Sequence, residues 1–179
     1  MTTKRYVLLV LLLLVHMGIS ANGQEWKKVL ADRLPLYGHR NWIAIVDAAY
    51  PAQTSQGIET ILCGSSQLDV VKAVTDALRK AKHVRPTIYL DKELEAVSET
   101  DAPGIGDYKK RLGVLLESFK KNSLLHEEII AKLDEAGNKF KILLFKTNLT
   151  LPYTSVFFEL QCGYWDDDAE ARLRERMSE

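Results

Sequence analysis

Between residues 42 and 162, short apolar runs alternate with stretches whose apolar residues recur at helical spacing. Trp42–Val46, Ile58–Leu62, Arg85–Leu90, Phe140–Lys146 and Val156–Cys162 are each of strand length and bounded by polar or turn-forming residues. Gln67–Lys82, Asp107–Lys121 and Leu124–Ala136 instead place their apolar residues three and four apart, as an amphipathic helix does. Strands that alternate with helices bury both faces of a sheet under helical layers, so the pattern predicts an α/β domain with a largely parallel sheet. Trp26–Leu36 adds a short leading helix ended by Pro35 and Gly38, and Ser65 or Ser66 is the expected cap of the helix that begins at Gln67. Residues 91–106 read as a polar loop around Asp101-Ala102-Pro103-Gly104, and the charged tail Asp166–Glu179 as a solvated final helix or a frayed end.

The first residues follow a different logic. Lys4 and Arg5 precede an unbroken apolar run from Tyr6 to Val15, and residues 16–23 turn small and polar. This is the three-part pattern of a secretory signal. Ala21-Asn22-Gly23 supplies small residues at the cleavage-determining positions, so the expected cut precedes Gln24, and the run is short for a membrane span. The expectation is a signal peptide over residues 1–23, one domain over residues 24–179, and export to a periplasm or the exterior. The chain's formal net charge is zero, and loss of Lys4 and Arg5 leaves it slightly acidic, which argues against a nucleic-acid partner. Cys63 and Cys162 both sit in apolar, strand-like settings; buried thiols and a bridge are both open.

Proton chemistry concentrates in the run Gly38–Pro51. A Gly-His pair enters the strand Trp42–Val46, and Asp47 leaves it, followed by Ala48-Ala49-Tyr50-Pro51. Ligands of open α/β sheets gather at the carboxyl ends of strands, which favours Asp47. His39 precedes the strand. Eight residues at about 3.3 Å each would hold the two groups roughly 20 Å or more apart if extended. Taken alone, His39 is equally a turn residue, and Asp47 equally an Asx cap. His83 and His126, among charged neighbours, read as solvated surface residues. A second polar cluster, Lys146–Ser155, offers hydroxyls, the Asn148 amide and the Tyr153 ring between two apolar strands, arranged as a sugar-binding loop would be; as a plain strand connection it is equally ordinary. Asn148-Leu149-Thr150 also matches the N-glycosylation pattern. The spacings contain no phosphate loop, hydrolase triad or metal-ligand set, so neither cofactor nor metal is expected.

Gly38-His39, followed by Asp47-Ala48 and Pro51, resembles the Gly-His…Asp-Ala…Pro signature of the ribose pyranase and fucose mutarotase family. Pro152-Tyr153-Thr154-Ser155 before an apolar strand resembles that family's closing Tyr-x-Asn segment, with Ser155 in place of the amide. The resemblance implies a three-layer α/β/α domain around a mixed, mostly parallel sheet. It further implies a homo-oligomeric ring, often a decamer, whose monosaccharide site lies between neighbouring subunits. The implied activity is cofactor-free interconversion of cyclic sugar forms. His39 would be the acid/base, Asp47 would help hold the site, and Tyr153 would contact the sugar; Ser155 stands where the family has its sugar-binding amide, and Asn148 or Thr150 could stand in for further polar groups of the site. The alternative on the same scaffold is a ring protein that binds a monosaccharide without turning it over.

Overall fold

A computed structural model describes residues 25–178. The expected signal peptide lies outside the described residues. Nine residues form the first helix, α1 (Glu25–Arg33), which runs into a 3-10 turn at Leu34–Leu36. Strand β1 (Trp42–Val46) and strand β2 (Ile58–Leu62) follow, then α2 (Gln67–Lys80), β3 (Val84–Asp91), a single turn α3 (Glu93–Ala96) and α4 (Ile105–Leu115). Strand β4 (Lys121–Leu124), α5 (His126–Lys139), β5 (Ile142–Lys146), β6 (Val156–Cys162) and α6 (Asp167–Met177) complete the order.

The six strands form one sheet in the order β2-β5-β1-β6-β3-β4. Five run parallel, and β6 alone is antiparallel to its neighbours β1 and β3. β1 is buried along its whole length because it lies mid-sheet, with Ile43 beside Leu143 on one side and Phe158 on the other. Alternation along the strands divides the core in two. Ile43, Ile45, Leu143, Phe145 and Phe158 face the layer of α1, α2 and α4, meeting Trp26, Val71, Val74, Ile105 and Leu112. Trp42, Ala44, Ile142, Leu144 and Phe157 face the other way, under Ile129, Leu133 and Ala136 of α5. The result is the expected three-layer α/β/α arrangement around a mixed, mostly parallel sheet.

Three local features differ from the sequence reading. Helix α4 starts at Ile105 rather than Asp107, because the Glu99 carboxylate reaches the backbone N–H groups of Gly104 and Gly106 and satisfies donors that a helix start leaves open. Asp91 is the last residue of β3 rather than the first of a loop. Residues 121–124 are a strand, not the junction of two helices. Lys-Asn-Ser-Leu carries almost no apolar signal because this is an edge strand, where a charged and polar sequence blunts further pairing. Its register pairs Leu124 with Asp91, so the next residues, Leu125 and His126, emerge beside the end of β3. The predicted cap of α2 is Ser66, whose hydroxyl accepts from the Asp69 backbone N–H at 3.2 Å. Cys63 is a buried free thiol, pushed up to about 12 by burial, and Cys162 is free and half-buried.

Candidate functional site

The parallel strands deliver their carboxyl ends to one edge, and the reversed β6 brings its amino end to the same place. Asp47 follows β1, Asp91 ends β3, His126 follows β4, Thr147 follows β5, and Tyr153–Ser155 lead into β6.

Beneath this edge lies a closed polar network. Gln67, the first residue of α2, is 2 % exposed, and its amide Nε2 donates to the Tyr108 hydroxyl at 3.0 Å and to the Thr154 carbonyl at 2.5 Å. The Tyr108 hydroxyl donates to the same carbonyl at 2.7 Å, and burial pushes this phenol well above its usual range. The Thr147 hydroxyl stands 2.9 Å from Gln67 Oε1 and 3.0 Å from the Val46 carbonyl. A buried amide left without partners costs about 1–3 kcal/mol. Satisfying it from three elements therefore fixes the segment 147–155 relative to α2 and α4. The Ala48 backbone N–H donates to the Leu149 carbonyl at 2.8 Å and ties the same segment to the loop after β1.

Above the network stands an imidazole with a carboxylate behind it. His126 Nδ1 is 3.1 Å from Asp91 Oδ1. Asp91 is 1 % exposed, and its Oδ2 is buried without a hydrogen-bond partner. Burial raises the Asp91 carboxyl above the usual carboxylate range; His126 opposes the shift, while Glu93 and Asp47 add to it. The backbone N–H of His126 donates to both carboxylate oxygens of Glu93 at 3.1 Å, and the Leu125 N–H donates to Glu128 at 2.9 Å. These acids sit where the amino end of α5 presents unpaired N–H groups, so they anchor His126 in place. Its ring meets Tyr153 edge-on, with centroids 5.9 Å apart and planes at 78°. Tyr153 has φ 57°, a left-handed conformation that non-glycine residues adopt at a cost of about 1 kcal/mol or more, and such outliers concentrate at functional sites.

The residues singled out from sequence separate into two groups. Asp47, Asn148, Tyr153 and Ser155 lie at or next to the carboxyl edge. His39 lies in an exposed turn before β1, at the opposite end of the strand from Asp47, so one chain does not bring this pair together. Asp47 Oδ1 accepts from the Ala49 N–H at 2.8 Å in an Asx turn. Asp47 also lines a recess of about 360 Å³ with Ala48, Ala49, Thr150, Leu151 and Pro152. Asn148 is exposed, whereas Ser155 is 1 % exposed and turned into the core. His83, read as solvated, is half-buried with Nε2 3.2 Å from the Leu34 carbonyl. His126, read the same way, is a half-buried member of the site. The signal that would have exposed it is the register of β4, which a polar edge strand conceals. A larger recess of about 430 Å³ opens at the amino edge between residues 55–57 and 137–141, with lysines and backbone but no acid–base pair. Among the described residues no three His, Cys, Asp or Glu side chains cluster as a metal ligand set.

No protein-family model and no curated protein matches the chain. Solved structures do. RbsD of Bacillus subtilis, complexed with D-ribose, superposes with a TM-score of 0.53 over 74 % of this chain and 90 % of its own, at 20 % identity. FucU from Bifidobacterium longum superposes at 0.51 over 75 % and 94 %, at 15 % identity. The fucose mutarotase of Streptococcus pneumoniae, in complex with L-fucose, gives 0.48 over 74 % and 90 %, at 18 % identity. At these identities the likeness is one of fold, and the fold is that of the proteins the two sequence motifs resemble.

Proposed function

We propose that this protein opens and recloses the ring of a free monosaccharide, interconverting its cyclic forms by acid–base chemistry at the carboxyl edge of the sheet. The observation that carries the reading is the His126 imidazole, backed by buried Asp91 and set beside the Tyr153 ring at that edge. RbsD, the structure of this fold named above in complex with D-ribose, supports it as analogy. Ring opening takes the proton from the anomeric hydroxyl, breaks the bond from the anomeric carbon to the ring oxygen, and returns a proton to that oxygen. Reclosure on the other face, or through another hydroxyl, reverses these steps. An imidazole, which can both accept and donate a proton, serves both halves, a contribution of about 10²–10⁴-fold. In this reading the Tyr153 ring packs against the apolar face of the sugar, and Asp47 and Asn148 accept or donate to its hydroxyls.

His39 enters through a second copy of the chain. Its exposed turn at the amino edge leaves the imidazole free to reach the carboxyl edge of a neighbour, which makes the working unit a homo-oligomer with the sugar between subunits. The second reading, binding without turnover, draws on the burial of Ser155 and the engagement of Asp47 in its own turn, which leave fewer free groups to contact a sugar.

Magnetisation-exchange NMR on a panel of free pentoses and hexoses separates the two. Ring opening predicts that at least one sugar exchanges faster than in buffer, and that His126→Ala and His39→Ala each slow it. Saturable binding in calorimetry with exchange at the buffer rate for every sugar would leave only the binding reading. Absence of both removes the sugar site altogether.

A further inference from the structure

Asp91 is the only buried charged side chain among the described residues. It ends β3 facing into the protein, and the only group that favours its ionised form is His126; the other ionisable groups that act on it, Glu93 and Asp47, carry like charge. Tyr153 stands against His126, Tyr50 and Tyr108 are within electrostatic reach of Asp91, and Lys92, Glu127 and Glu128 adjoin the pair along the chain, with the Glu128 carboxylate on the Leu125 N–H. The pair is therefore asymmetric. Nδ1 of His126 turns inward to Asp91 Oδ1, whereas Nε2, across the ring, has no partner among the described residues on a side chain about one-third exposed. Ring and backbone are held independently, the ring by Asp91 and the edge of Tyr153, the backbone by Glu93.

A neutral imidazole carries one N–H, and which nitrogen bears it is set by what the other nitrogen faces. We propose that Asp91 is a positioning residue that accepts the Nδ1–H of His126, fixes the neutral ring as the Nδ1–H tautomer, and so presents the Nε2 lone pair to the open edge as the proton acceptor. With Nε2 protonated instead, the neutral ring could only donate toward the edge and could not begin by taking a proton from a sugar hydroxyl. The orphaned Oδ2 fits this assignment. A carboxylate with one oxygen unpartnered and no lysine or arginine acting on it depends on a single strong hydrogen bond, and the imidazole N–H is the donor within reach. The use of the lone pair on a sugar rests on the ring-opening reading above; the tautomer does not.

Nitrogen-15 NMR of the His126 ring in the sugar-free protein at neutral pH reads the tautomer directly. The expected result is Nδ1–H in the unmodified protein, Nε2–H in Asp91→Leu, and return toward Nδ1–H in Asp91→Glu. Predominant Nε2–H in the unmodified protein overturns the proposal whether or not the Leu variant folds. In sugar exchange, Asp91→Leu is expected to lower kcat at least about tenfold with KM little changed, and to shift the acid limb of the pH profile; a change in KM alone counts against a positioning role. An Nδ1–H ring in a protein that accelerates no sugar's exchange leaves the assignment standing and defeats the ring-opening reading. Fast exchange with an Nε2–H ring does the reverse.

Discussion

The two ends of the sheet carry the same kind of side chain in opposite circumstances. At the amino edge, His39 sits in an exposed turn beside Arg40, which itself has φ 70°, and no side-chain hydrogen bond holds its imidazole among the described residues. At the carboxyl edge, His126 has a buried carboxylate on its ring, a second carboxylate on its backbone and the Tyr153 ring set T-shaped against it. One histidine is presented and the other is installed. Residue type does not separate them; burial of the partner does, because a carboxylate removed from water makes its hydrogen bond directional and costly to lose.

That contrast can be broken from below, from within and from outside. The largest effect is expected from Gln67→Leu, which removes the amide joining Thr147, Tyr108 and the Thr154 carbonyl. Stranding these buried groups should cost about 3 kcal/mol in urea unfolding, and a loss under about 1 kcal/mol would mean that the segment 147–155 is held by something else.

The next is His126→Ala, expected to cost about 1–3 kcal/mol at neutral pH, with a pH signature. The folded-state pKa of Asp91 is already raised above its ordinary value of 3.8, so the folded state binds more protons than the unfolded one just above that value, and stability falls as pH rises through the window. Removing His126 deletes the one interaction that lowers this pKa and extends the window upward. The variant should therefore recover stability relative to the unmodified protein as pH falls toward about 4. A deficit that stays constant with pH would show that Asp91 is not the group left behind. The smallest effect is expected from His39→Ala, within about 0.5 kcal/mol, as for an exposed turn residue. If it instead costs more than about 1 kcal/mol, His39 is a structural residue and the two edges are less different than they look.

Much of this was legible in the chain because apolar strands announce themselves. β1, β2, β5 and β6 match runs of apolar residues between turn signals, and Ser66 caps α2 as a serine before an amphipathic stretch should. Asp47 could be assigned to the carboxyl edge from element order alone, whereas Tyr153 reaches that edge only because β6 runs antiparallel to its neighbours. What could not be read was pairing. Lys121-Asn122-Ser123-Leu124 has the composition of a loop or a helix end, and only its hydrogen bonding to β3 makes it a strand. Without that strand, Asp91 falls in a loop and His126 on a helix surface, thirty-five positions apart in sequence. Gln67 was hidden for a similar reason: a polar residue after a helix cap looks solvated until the segment around Thr147 and Thr154 folds over it.

The strand order has a kinetic consequence. β1 is among the earliest elements of the described chain, yet both of its neighbours, β5 and β6, come from residues 142–162. Its apolar residues stay unpaired on both sides until nearly the whole chain is available. Such non-local pairing slows folding, because loop closure must precede any reward from contact. A chain cut short before residue 142 would expose two bare edges of its most hydrophobic strand, so for this protein incomplete synthesis and aggregation are coupled by topology.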